Sequence, residues 1–156
     1  MQYKEIKTIY DLVKCAGEEH KNRVFLRYEV NDEIIDVTYG QFVNNCKALA
    51  AWLKDENRLM GHKVNVALLG SSSEAYLTAL LGGMSSGNIV IPLDTQVNVD
   101  TLSDALNRAD AEILFYDWEH AALVEGIKEV CPKIKKYISL QHGKHVPCLE
   151  QVLNLY

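Results

Sequence analysis

A chain of 156 residues is long enough to bury roughly 68–70% of the surface its unfolded form would expose, so it can build a sizeable core. Hydrophobic residues at 48% and charged residues at 24% sit at the globular average, which excludes disordered and fibrous classes. A net charge of −5, with 16 Lys and Arg scattered among 21 acids, excludes the basic stripe that a nucleic-acid partner requires.

The first predicted element is a helix over residues 8–20. Thr8 can cap it, Asp11 suits its positive end, and Ile9, Leu12, Val13 and Ala16 form one stripe. Two β-rich runs follow, RVFLRYEV and EIIDVTY, and Asn31-Asp32 between them reads as a hairpin turn. Thr38 and Gln41 make a capping box that opens a second helix, in which Phe42, Cys46, Leu49 and Leu53 recur at helical spacing until about Asn57.

After Gly61 the pattern changes. KVNVALLG, NIVIPLD, AEILFYD and KKYISLQ are short apolar runs rich in branched residues, starting near 63, 88, 111 and 135. Helical segments lie between them. The first opens on the capping box Ser71-x-x-Glu74 and closes at Gly87, the second follows Asn98 or Asp100, and the third runs from about Trp118 to Val130 before Pro132. Strand, helix and strand at near-constant spacing is the βαβ unit, whose strands must be parallel. The expected fold class is α/β: one domain over residues 1–156, with a mainly parallel four-stranded sheet, flanking helices, and an N-terminal helix and β-hairpin packed on that sheet. Ile89 to Leu93 are expected to fill the sheet core, with Pro92 marking a bulge or an edge.

No run approaches a membrane span, and the polar start MQYKEIKT does not resemble a signal peptide, so a cytosolic location is expected. Cys15, Cys46, Cys131 and Cys148 contain no CxxC pair and read as buried free thiols. His142 and His145 read as surface loop histidines, and Lys133, Lys135 and Lys136 as a solvated edge.

Ligands of open α/β sheets bind beyond the carboxyl ends of the strands, which selects Gly70 to Ser73, Asp94-Thr95, Asp117 and Gln141-His142. GSSSE offers backbone N–H groups and hydroxyls to an anion, but a helix start uses the same groups as its own cap, and no Lys or Arg lies close in sequence. The cluster from Gly82 to Gly87 falls at a helix carboxyl end, where the dipole repels phosphate. Asp94 and Asp117 stand where a receiver-like signalling domain carries its phosphate-accepting aspartate, but the acidic pair such a domain needs is replaced by GSSS. No catalytic, cofactor-binding or metal-binding residue is assigned from these patterns.

The order of the pieces carries a resemblance. VTYGQF at 37–42, then an amphipathic helix, then GHKVNVALLGSSSEAYLTALLGGMSSGNIVIPLD, a helix and AEILFYD, resemble the beginning of AMP-forming adenylating enzymes, the superfamily of acyl-CoA synthetases, luciferases and peptide-synthetase adenylation domains. VTYGQF is similar to a Thr/Ser-Tyr-x-x-Leu/Phe helix start, and MSSGNIVIPLD to a Lys-Ala-Gly turn before a Val-Pro-Leu-Asp strand. Ser85-Ser86-Gly87 replaces Lys-Ala-Gly, and Thr95-Gln96 stands where a proline commonly follows. The resemblance runs from about residue 23 to 140.

That resemblance implies an acid activated by ATP with magnesium, giving an acyl-adenylate that a thiol such as coenzyme A then attacks. It also implies that the phosphate loop, ribose acid and catalytic lysine come later than LEQVLNLY. The chain is thus expected to be the amino-terminal structural portion of an acyl-CoA synthetase, without catalytic competence or a cofactor of its own. Its expected partner is the remainder of the ligase, or a second copy through an exposed apolar packing surface. Alternatives are a stand-alone interaction or signalling domain using the Asp94 side, and a fragment of a peptide-synthetase adenylation domain.

Overall fold

The computed structural model describes residues 6–142 and 146–156. Helix α1 (Ile9–His20) begins at Thr8, which forms a capping box with Asp11, so two helix-start donors are satisfied within the chain. The hairpin strands β1 (Val24–Val30) and β2 (Glu33–Thr38) pair antiparallel as a sheet of their own. Asn31 and Asp32 take φ of 51° and 64°, the two positive values that a tight two-residue hairpin turn demands and that these side chains tolerate without glycine. Asp32→Gly removes the residual cost of the left-handed conformation. It should stabilise the chain by about 0.5–1 kcal/mol, or roughly 1–4 °C in a thermal melt; an unchanged or lowered midpoint would contradict the turn assignment.

Helix α2 (Tyr39–Met60) opens on the predicted Thr38–Gln41 box and runs one turn beyond Asn57, ending at Gly61 with φ of 75°. The Asn57 side chain is not a terminator: it accepts from Val64 N–H at 2.9 Å and bonds to Asn88, tying the helix to the start of the sheet.

The larger sheet contains β3 (Asn65–Leu69), β4 (Ile89–Pro92), β5 (Ala111–Tyr116) and β6 (Lys136–Ser139), all parallel, in the order β4-β3-β5-β6. Alternation explains the continuous apolar runs. Val66, Leu68, Ile113 and Phe115 face Leu49, Trp52 and Leu53 of α2, while Ala67, Leu69, Leu114 and Tyr116 face the opposite layer. That layer is built from α4 (Val99–Arg108), capped by Asn98, and α5 (Ala121–Ile127). The first layer also holds α3 (Glu74–Ser85) and a short α6 (Leu149–Leu153), which the sequence patterns did not indicate.

Several expectations are corrected. Ser73 rather than Ser71 caps α3, accepting from Tyr76 N–H at 3.1 Å. The third connecting helix is shorter than Trp118 to Val130, because Trp118–His120 form a 3-10 turn and α5 stops at Ile127. The hairpin and α1 pack on α2 and α3, through Val13, Val37, Phe42, Val43 and Cys46, and not on the sheet itself. Leu12, placed in the α1 stripe, is exposed. β4 is an edge strand, as Pro92 suggested, so Ile89 is 63% exposed instead of filling the core, while Val90 is buried.

The basic run is only partly solvated. Lys136 pairs with the buried Glu56 and lies 5.4 Å from the Trp52 ring centroid, while Lys133 pairs with Asp110. Cys46, Cys131 and Cys148 are buried free thiols, but Cys15 is only half-buried. Burial pushes the Cys46 thiol from an ordinary 9.0 up to about 12. The folded thiol therefore keeps its proton while the unfolded one ionises, so this group's contribution to stability is complete below pH 9 and declines as pH rises toward 12. At pH 8 a thiol reagent should leave Cys46 unmodified until denaturant is added; rapid labelling of the native chain would refute this packing.

Among the described residues, no helix is long and apolar enough to cross a membrane.

Candidate functional site

The strand order creates one topological switch. From β3 the chain goes through α3 to β4 on one side, then through α4 on the opposite face to β5 on the other side. The connections that leave β3 at Gly70 and β5 at Asp117 therefore run to opposite faces of the sheet, the place where open α/β sheets bind ligands. The structure brings Gly70 to Ser73, Asp117 and Gln141 together here, while the side chains of Asp94 and His142 are bonded to Gln96 and Glu150 rather than to this group.

Asp117 organises this edge. It is 3% exposed, and its Oδ2 accepts the Ser71 N–H at 2.7 Å while Oδ1 contacts His120 Nδ1. His120 is within reach because the 3-10 turn brings it back over the strand end, a geometry with no counterpart in the hydrophobic pattern. The Gln141 side chain accepts the Trp118 N–H at 3.0 Å, joining the end of β6 to the same turn. A Cβ on Gly70 would come within 2.9 Å of Asp117 Oδ2, so the close approach of turn and carboxylate requires glycine at that position.

A groove of about 460 Å³ opens beside this turn, lined by Arg27 and Tyr28 of the hairpin, Ser72, Ser73 and Glu74 of the β3–α3 turn, and Gln141. The Tyr28 hydroxyl donates to Glu74 Oε2 at 3.0 Å, and the phenol is held above its usual range first by burial and then by that carboxylate. Arg27 forms a two-pronged pair with Asp36 at 2.6 and 2.7 Å, which pulls the Asp36 carboxyl below its ordinary value.

These residues do not suit a nucleotide triphosphate. The Ser71 amide is taken by Asp117, the Ser73 hydroxyl by the helix cap, and the guanidinium of Arg27 by Asp36, while Glu74 adds a negative charge at the helix start. Such a wall can border a ligand held by groups from elsewhere, but it supplies no cationic cradle for phosphate.

Asp94 is exposed, and its Oδ1 accepts from Gln96 N–H at 2.8 Å, an Asx turn that satisfies the chain's own backbone. No group of three or more His, Cys, Asp or Glu side chains poised for a metal exists among the described residues. The Asp94 carboxylate is thus engaged with its own turn. His142 is exposed and pairs with Glu150 at 3.3 Å, as a surface histidine does; His145 lies outside the described residues.

A family model described as AMP-binding enzyme matches residues 13–152. The D-alanine--D-alanyl carrier protein ligase of Staphylococcus haemolyticus (strain JCSC1435) is 25% identical over 107 residues, which cover 69% of this chain and 20% of that protein. Similar solved structures include an anthranilate CoA ligase in complex with anthranoyl-AMP, at 18% identity, a TM-score of 0.78, and coverage of 96% of this chain and 27% of that one. They also include the A-PCP didomain of carboxylic acid reductase from Segniliparus rugosus in complex with AMP, at 13% identity and a TM-score of 0.82, covering 97% of this chain and 27% of that one. A fatty acyl CoA synthetase of Mycobacterium tuberculosis superposes with a TM-score of 0.73 at 17% identity, over 94% of this chain and 28% of its own. The chain therefore spans about a fifth of the curated relative and under a third of these structures.

Proposed function

The chain belongs to the AMP-binding enzyme family, the adenylate-forming ligases, and from that premise we propose that it is the amino-terminal portion of a cytosolic acyl-CoA synthetase, one folded domain that does not catalyse by itself. The observation that carries this reading is the family match over residues 13–152 laid on a sheet whose switch point holds no free cation among the described residues. In this reading the rest of the ligase supplies the phosphate loop, the magnesium and ATP contacts and the catalytic lysine. The Asp117–Ser71 turn forms a rigid wall beside them.

Carboxylates resist nucleophiles because their charge is delocalised over two oxygens; adenylation by ATP replaces that charge with a leaving group. The acid we assign is a fatty acid and the acceptor thiol that of coenzyme A, by analogy with the CoA ligases among the structural neighbours. The curated relative, a carrier-protein ligase, favours a second reading in which the acceptor is a carrier protein.

Two assays test the proposal. The 156-residue chain with ATP, magnesium, a fatty-acid panel and coenzyme A should release no pyrophosphate, and turnover would overturn the division of labour. The product of the complete natural reading frame should release pyrophosphate and form acyl-CoA only when acid is present. Its failure to do either would overturn the ligase reading, and acyl transfer to a carrier protein alone would select the second acceptor.

A further inference from the structure

A second concavity lies far from the switch point. Tyr10, Val13 and Lys14 of α1, Lys47, Ala50, Ala51 and Lys54 of α2 and Ser85 at the end of α3 enclose about 200 Å³, with Cys46 beneath. Since α3 spans 12 residues from Glu74 to Ser85, this cleft sits about 18 Å along that helix from the Ser73 turn.

Its chemistry is two-sided. Lys47, Ala50, Ala51 and Lys54 fall at i, i+3, i+4 and i+7, so they share one face of α2, with two small apolar residues between two ammonium groups. Lys14 brings a third cation from α1, 3.9 Å from Glu18, while Lys47 and Lys54 have no ion pair among the described residues. The floor is apolar, because Val13 and Ala50 are buried and Cys46 is fully enclosed and held neutral. Ser85 Oγ is inaccessible to water and has no hydrogen-bond partner, an unusual state for a hydroxyl. The carbonyl end of α3 also points here, but its partial charge of roughly −0.5 is outweighed by the lysines.

We propose that this cleft is an accessory binding site for a small amphiphilic carboxylate, with its acid group held by lysines at the rim, from Lys14, Lys47 and Lys54, and an apolar body of about six carbons over Ala50, Ala51 and Val13; Lys47 and Lys54 stand about 10 Å apart along α2, so they guard opposite ends of the cleft. The size follows from the volume: an apolar cavity of roughly 150 Å³ is known to accept benzene. The charge follows from three cations clustered on a chain whose net charge is −5. The proposal does not depend on the ligase reading, because the cleft shares no residue with the groove at the switch point.

Hexanoate is the probe, titrated into isotope-labelled chain at low salt while amide resonances are followed. Saturable shifts are expected at Ala50, Ala51 and Ser85. The neutral isostere hexanamide should produce none that saturate. Combining Lys47→Ala with Lys54→Ala, both exposed and harmless to folding, should weaken binding about five- to tenfold, and raising salt from about 0.01 to about 1 M should weaken it in the same direction as screening shortens. Ala51→Leu keeps every lysine but fills the half-buried floor, and should abolish the shifts. Shifts scattered over the surface, equal response to hexanamide, or affinity unchanged in the lysine variant would each overturn the site.

Discussion

Asp117→Ala is expected to loosen the whole switch-point edge. The carboxylate is 3% exposed and accepts the Ser71 amide at 2.7 Å as well as contacting His120, so its removal takes the protein partner from a backbone donor in a tight turn and leaves a void at the buried Asp117 position. Ser71 itself is exposed and water can take over part of the bond, so the loss is expected at the lower end of the range for abandoned buried groups, about 1 kcal/mol. Asp117→Asn keeps an acceptor oxygen and should recover part of the loss. Denaturant midpoints measure the total, and hydrogen exchange locates it: the Ser71 amide should lose protection in the alanine variant while amides of β3 keep theirs relative to global stability. Unchanged exchange at Ser71 would show that the turn is held by something else. If the chain works as proposed, the same variant placed in the complete ligase would lower turnover by disordering the wall, with no direct part in the chemistry.

Phe115→Ala should have a larger effect. The ring is fully buried on the α2 face of β5, against Trp52 with centroids 6.3 Å apart in an edge-to-face arrangement. Truncating such a ring removes its transfer free energy and leaves a cavity in close-packed surroundings, typically about 3–5 kcal/mol. Domains of this size have about 5–15 kcal/mol in total, so a large fraction would go. Phe115→Leu, which keeps most of the volume, should lose under about 1.5 kcal/mol. A measured loss below about 1 kcal/mol in the alanine variant would mean that this face is not the main core.

The features legible in the sequence were those set by local chemistry or by long periodic runs. The Thr8 and Thr38 caps need only residues three apart, and the Asn31-Asp32 turn only two residues willing to take positive φ. β3 and β5 are legible because both their faces are buried, and the edge strands β4 and β6 because their short branched runs recur at the same spacing. Features decided by tertiary contact did not. Three consecutive serines offer three equivalent caps, and Asp117's claim on the Ser71 amide selects Ser73. α6 has five residues, too few for a periodic signal, and is held by Leu149 and Val152 meeting the core. The role of His120 leaves no trace in the sequence pattern, because it reaches Asp117 through a 3-10 turn that breaks the helical spacing. The exposure of Ile89 is not legible in the run NIVIPLD, because composition cannot distinguish an edge strand from a central one; only the order β4-β3-β5-β6 does.

That order has a consequence during synthesis. β3 is the first strand of the larger sheet to leave the ribosome and ends up central, yet its neighbour β5 is translated only after α3, β4 and α4. Throughout that interval one rim of NVALL has no mate, a sticky apolar edge awaiting closure. Synonymous codons that slow translation between residues 70 and 111 would prolong this exposure and favour chaperone capture of the nascent chain.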